Sequence, residues 1–228
     1  MAQLHPVFLF DVDNTLLDND RVTSALRDFL TKEIGEERTE RYWNIFEELR
    51  STLGYADYLG SLQEYRRQFP YDSHVLALSN FLINYPFANR LFPGSLDVID
   101  KLKALGTVVI LTDGDAVFQP RKIERSGLGE AVGNNILIYI HKENELADVE
   151  RRYPAEHYFL IDDKLRILTA IKEQWRDRVT TVFVKQGHYA LDVKEISKYP
   201  SADVEVNCIS DLLDLQLITL TADVSHAA

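Results

Sequence analysis

The sequence predicts an α/β fold, an open parallel sheet covered by helices and interrupted once by a helical insertion. Three observations carry this. Short unbroken apolar runs recur, and each stops abruptly at polar residues, as strands buried on both faces do. Single helix-length segments separate the later runs, the alternation of a parallel sheet. Between the first run and the Gly94 region lie roughly 80 residues, far more than one crossover needs.

In chain order, the first run is Val7-Phe8-Leu9-Phe10, which stops at Asp11. The insertion is read as 17–90, bounded by Pro86 and by Pro93-Gly94. Within it Tyr42, Ile45, Phe46, Leu49 and Leu53 recur at helical spacing, and 21–34, 57–68 and 73–84 are read as further helices. Leu96, Ile99, Leu102 and Leu105 are spaced by three along one helical face, which Gly106 is expected to close. Val108-Val109-Ile110-Leu111 stops at Thr112, and 136–140 stops at His141-Lys142. Tyr158-Phe159-Leu160-Ile161 stops at Asp162-Asp163. Helices are expected at 116–127, 143–152 and 164–177, and weaker strands at 181–184 and 204–206. The domain reading is a core of 1–16 and 91–220, the insertion, and a frayed tail at 221–228.

Composition bounds the function. Of 228 residues 46% are hydrophobic, enough for a real core, so global disorder is excluded. Lys and Arg total 25 against 36 Asp and Glu, a net charge of −11 spread along the chain. That argues against nucleic acid or an anionic membrane as a partner. A single cysteine, Cys208, excludes an intramolecular disulfide and a Cys-rich zinc centre. No apolar run approaches the roughly 18 residues that span a bilayer. The start, MAQLHPVFLFDVD, does not read as a signal peptide. A cytoplasmic protein is expected, with its oligomeric state open.

In open α/β sheets ligands bind beyond the carboxyl ends of the strands. Asp11, Thr112, Lys142 and the Asp162-Asp163 pair all fall there. In Asp11-Val12-Asp13-Asn14-Thr15-Leu16 an extended backbone sends Asp11 and Asp13 to one side. Two such carboxylates can collect a hard cation such as Mg²⁺, or divide labour as nucleophile and acid/base. Ordinary turn chemistry is the bland reading of the same residues. For Asp162-Asp163 it is a helix cap, for Thr112 a β-branched strand end, and for Lys142 a surface lysine. Lys122 rivals Lys142 but falls inside a predicted helix. Asp18 reads as a turn or cap residue, and Asp113 and Asp115 as turn residues around Gly114. His141, His157 and His188 form no ligand spacing, and the Tyr42, Phe46, Leu49 stripe reads as core.

VFLFDVDNTLLD resembles the first motif of the haloacid dehalogenase superfamily, a group of Rossmann-like hydrolases. ILTDGD with Thr112, HKENEL with Lys142 and FLIDDK with Asp162 and Asp163 resemble its second, third and fourth motifs, in order. The departure is Glu143, where many members have proline. The resemblance covers about 1–16 and 92–210, and the insertion matches the position of a C1-type helical cap. It implies that Asp11 attacks phosphorus and that Asp13 protonates the leaving oxygen, then deprotonates the hydrolytic water. It implies Mg²⁺ held by Asp11, the Asp13 carbonyl and Asp163, with Asp162 acting through water. Thr112 would bind the phosphoryl oxygens and Lys142 neutralise charge. Members that cleave carbon–halogen bonds lack an aspartate at the Asp13 place, since halide leaves without a proton. The expected activity is therefore hydrolysis of a small phosphorylated metabolite. Alternatives are a phosphotransferase of the same superfamily, a receiver-like switch, or a phosphate-binding protein without catalysis. The motif order opposes the receiver, whose acidic pair comes first. Substrate identity is not legible; Tyr42, Arg50, Tyr58 and Arg66 are specificity candidates only as polar or aromatic residues of the insertion.

Overall fold

A computed structural model describes residues 5–217. Six strands form one all-parallel sheet: β1 (Val7–Phe10), β2 (Thr107–Asp113), β3 (Ile136–Tyr139), β4 (Tyr158–Asp162), β5 (Val179–Val184) and β6 (Val204–Val206). Their order is β3-β2-β1-β4-β5-β6, so the direction of winding reverses between β1 and β4. That reversal is where a doubly wound sheet opens a crevice. β1 is central and buried along its whole length, pairing Phe10 with Ile110 of β2 and with Ile161 of β4. Its period of two divides the core: Phe8 and Phe10 pack on one face, Val7 and Leu9 on the other. The Phe8 and Phe159 rings stack at 4.9 Å on the first face, and the Tyr158 and Trp175 rings at 4.3 Å on the second.

Four helices follow β1: α1 (Asn19–Ile34), α2 (Glu36–Leu53), α3 (Tyr58–Gln68) and α4 (Val75–Asn84). Their apolar residues join the Phe8/Phe10 face in one continuous cluster. The chain enters and leaves this helical segment side by side. Leu17 and Leu91 form an antiparallel bridge, the Asp18 amide donates to the Arg90 carbonyl at 2.8 Å, and the Ser95 hydroxyl donates to the Leu16 carbonyl.

The remaining helices are α5 (Ser95–Lys103), α6 (Phe118–Ser126), α7 (Leu128–Ala131), α8 (Leu146–Arg152), α9 (Leu165–Trp175), α10 (Gly187–Leu191) and α11 (Val193–Ile196). The helix expected at 143–152 begins only at Leu146, behind a 3₁₀ turn over Lys142–Asn144. The strand expected at 181–184 begins two residues earlier, at Val179. The α5 stripe also differs: Val98, Ile99 and Leu102 are buried while Leu96 and Leu105 are not, because a spacing of three drifts off a 3.6-residue turn. Gly106 does not close α5, which ends at Lys103. Its role is a close approach, since a Cβ there would sit 2.2 Å from the Pro6 carbonyl oxygen. The tail read at 221–228 and the core's end at 220 lie outside the described residues. Among the described residues no helix is long and apolar enough to cross a membrane.

Candidate active site

Each expected site residue sits at or just beyond a strand's carboxyl end, at the crevice beside β1. Asp11 follows β1, and its amide donates to the Ile161 carbonyl of β4. The chain then turns tightly. The amides of Thr15, Leu16 and Leu17 converge on the Val12 carbonyl, and Asn14 takes a left-handed conformation, φ 62°. The Asn14 side-chain carbonyl caps α1 by accepting from the Asn19 and Asp20 amides, and Asp18 is that helix's N-cap. Gly187 packs against this turn with φ +71°, and a Cβ there would lie 2.4 Å from the Asn14 Cβ.

Lys142 is the hub. Its ammonium donates to Asp11 Oδ1 at 2.6 Å and lies 2.7 Å from Asp162 Oδ2, all three side chains being buried. Burial works against its charge, but Asp11, Asp162 and Asp113 outweigh that and raise its pKa. Asp113 also accepts from the Lys142 amide at 2.7 Å, so it positions the hub rather than merely making a turn. Glu143, in the place of the proline, is tied to Arg166 at 2.7 Å. Burial tends to raise the Asp11 carboxyl, yet Lys142 and Lys164 hold it below its ordinary range, aided by hydrogen bonds from Lys142 and Thr112.

Asp162 is divided between two tasks. Oδ1 accepts the Lys164 amide at 2.8 Å and Oδ2 faces Lys142. Asp163 is the opposite case, with both oxygens buried and unpartnered. Burial pushes its carboxyl well above the ordinary range, helped by Asp162 and Asp11 against Lys164. Asp11 Oδ2 is likewise without a partner. Oxygens from Asp11, Asp162 and Asp163 lie within 4.8 Å of one another. Orphaned carboxylate oxygens that converge in a buried crevice suit a hard divalent cation, which prefers oxygen ligands.

The rivalry between Lys142 and Lys122 dissolves in the structure. Lys122 is fully buried on α6 and donates to Asp13 Oδ1 at 2.6 Å and to Asn19 Oδ1 at 3.0 Å. Each lysine therefore serves one of the two aspartates after β1. Three residues earlier on the same helix face, Gln119 donates to the Thr112 hydroxyl oxygen at 3.0 Å. Sequence reasoning misses Gln119; its helical spacing from Lys122 is the signal that points to it.

A cavity of about 760 Å³ opens over these residues, with α1, α2 and the start of α3 on one side and α9 to α11 on the other. Asp13, Gly114 and Lys164 line it, as do Arg50 and Tyr58 of the insertion. Tyr42 is instead core, its hydroxyl donating to the Tyr58 carbonyl, and Arg66 is exposed away from the cavity. His188 pairs with Asp20, and His157 with the Thr180 hydroxyl, and neither joins the acidic cluster.

A family model of haloacid dehalogenase-like hydrolases matches residues 5–173. The chain belongs to this family. A crystal structure classed as a haloacid dehalogenase-like hydrolase, from Burkholderia xenovorans LB400, is 57% identical and superposes with a TM-score of 0.90, covering 93% of this chain and 99% of that one. The magnesium-bound HAD-hydrolase YfnB of Bacillus subtilis is 16% identical with a TM-score of 0.62, over 93% and 98% of the two chains. The L-2-haloacid dehalogenase of Xanthobacter autotrophicus, with chloropropionic acid covalently bound, is 17% identical with a TM-score of 0.58, over 99% and 100%. The last two likenesses concern the fold. No curated protein sequence matches the chain.

Proposed function

We propose that the protein is a Mg²⁺-dependent phosphatase of a small phosphorylated metabolite, acting through an aspartyl-phosphate on Asp11, with the 17–90 insertion as its cap. The observation that carries this reading is Asp13, a second carboxylate on the cavity wall held by its own buried lysine. Carbon–halogen cleavage has no use for it, because halide departs without a proton. An alkoxide leaving phosphorus needs one.

The hydrogen bonds support the roles. Asp11 is the nucleophile, and Lys142, donating to its Oδ1, holds the carboxylate ionised and in place for attack. The phosphorus–ester bond breaks as the Asp11–phosphorus bond forms, and Asp13 gives its proton to the leaving oxygen. Asp13 then takes a proton from the water that opens the acyl phosphate. Gln119 donates to Thr112 Oγ1, and the Thr112 hydroxyl, which here donates to the Asp113 carbonyl at 3.4 Å, would turn to give its proton to a phosphoryl oxygen. Asp11 and Asp163 would hold Mg²⁺ directly, the Asp13 carbonyl would be a further ligand, and Asp162 would act through water. When bound, the ion supplies charge neutralisation between nucleophile and phosphoryl group. A phosphotransferase differs only in the acceptor that meets Asp13. The reading carries no nucleic-acid or membrane partner and a cytoplasmic location, in line with the acidic balance and the lone cysteine.

The test is phosphate release from p-nitrophenyl phosphate with Mg²⁺ and with EDTA, beside chloride release from 2-chloropropionate. We expect phosphate release that needs Mg²⁺ and falls at least about 10⁴-fold in Asp11→Asn with the fold intact. Chloride release without phosphate release overturns the reading.

A further inference from the structure

Two cations on the cavity wall meet at one aromatic ring beside the acidic site. Lys142 and Lys122 make the close contacts with Asp11, Asp162 and Asp13. Lys164 remains. Its ammonium makes no hydrogen bond and no ion pair among the described residues, and it stands over the Tyr189 ring at 5.1 Å from the centroid. Arg50 approaches the same ring from the insertion, at 5.7 Å. Its only carboxylate contact among the described residues is Glu47 at 3.4 Å, a pair more than a third exposed on both sides and so of little worth. Lys164, Arg50 and Tyr189 line the cavity that Asp13 also lines. A space of about 760 Å³ is far larger than a phosphoryl group.

We infer that the substrate carries a second anionic group, a carboxylate or another phosphoryl, which Lys164 of the core and Arg50 of the insertion receive on either part of Tyr189. The inference rests on the phosphatase reading only for where the first phosphoryl sits. Lys164 brings a point charge and Arg50 a planar donor fork, and the Tyr189 ring faces both cationic heads. Because one cation belongs to each segment, the second anion would also bridge the insertion to the sheet. Small organic phosphates with a charged tail are thereby favoured over esters of neutral alcohols.

The test is calorimetric binding to Asp11→Asn with Mg²⁺ present, so that turnover is not needed. The ligands are matched pairs: phosphoglycolate against ethyl phosphate, 3-phosphoglycerate against glycerol 3-phosphate, with 1,3-propanediol bisphosphate as the second phosphoryl arm. We expect at least one charged-tail ligand to bind about tenfold or more tightly than its neutral mate. Adding Lys164→Gln should remove the preference, Lys164→Arg should keep it, and Arg50→Gln should reduce it. Equal affinity within the pairs, no binding of any ligand, or equal losses for both members of a pair in Lys164→Gln would each overturn the inference. The last result would assign Lys164 to the phosphoryl group itself. Wild-type phosphate release is scored separately, and its absence counts against the phosphatase reading alone.

Discussion

Asp163→Asn should stabilise the metal-free protein while removing its response to Mg²⁺. In the structure both Asp163 oxygens are buried without a partner, and burial drives the carboxyl well above its ordinary pKa. A carboxyl raised on folding leaves stability intact below the unfolded pKa and withdraws it as pH rises through and above that value. At neutral pH Asp163 therefore costs folding energy. Asparagine keeps a buried polar group there and removes only the extra cost of burying a charge, on the order of 1–3 kcal/mol. At about 2–4 °C per kcal/mol for a chain of this size, the melting temperature in EDTA should rise by roughly 2–12 °C. Added Mg²⁺ should stabilise the wild type by RT ln(1 + [Mg²⁺]/Kd) and leave the variant unmoved. Differential scanning fluorimetry at pH 7 and pH 4, with EDTA and with a Mg²⁺ series, reads both effects. The gain in EDTA should shrink at pH 4, where the unfolded carboxyl is itself half protonated. A variant less stable than wild type in EDTA, or one that keeps the Mg²⁺ response, refutes the reasoning.

Lys142→Met leaves Asp11 and Asp162 facing each other in a buried crevice. We expect a loss of about 3–5 kcal/mol in EDTA by urea unfolding, partly restored when Asp11→Asn is added. Lys122→Met frees Asp13 from its tether, and steady-state kinetics should show kcat down roughly 10–100-fold with KM little changed. A change confined to KM would assign Lys122 to substrate binding instead. Asp72 lies buried between the helices of the insertion, where Tyr65, His74 and Arg38 overcome its burial and hold it down to about 2. A depressed carboxyl contributes stability above its unfolded pKa and loses it as pH falls through the folded value. Asp72→Asn should cost up to about 2 kcal/mol at pH 7, a deficit that vanishes in urea titrations as pH falls from about 4 to about 2.

Much of this protein was legible one residue at a time. A run such as Val7–Phe10 reads as a strand buried on both faces, and its sharp stop at Asp11 marks the strand's carboxyl end, the side where open α/β sheets bind ligands. The order of Asp11, Thr112, Lys142 and Asp162-Asp163 along the chain followed from the same rule. The length of the stretch after β1 pointed to extra structure there, because no single crossover needs it, and four helices fill it. Where boundaries slipped, as at Leu146 and Val179, local turns decided them.

The electrostatic partnerships came only from the tertiary structure. Lys122 and Lys142 looked like competitors because sequence ranks residues by motif position. In space they stand on different elements and answer different aspartates. Asp162 and Asp163 are neighbours of identical chemistry, yet one is consumed by Lys142 and a backbone amide while the other keeps both oxygens free. Arg50 and Lys164 lie far apart in the chain and meet at one ring. Local propensity acts within a few residues, so it can place a strand and its end. Charge pairing acts through space across the crevice, so it exists only once the sheet has brought the strand ends together.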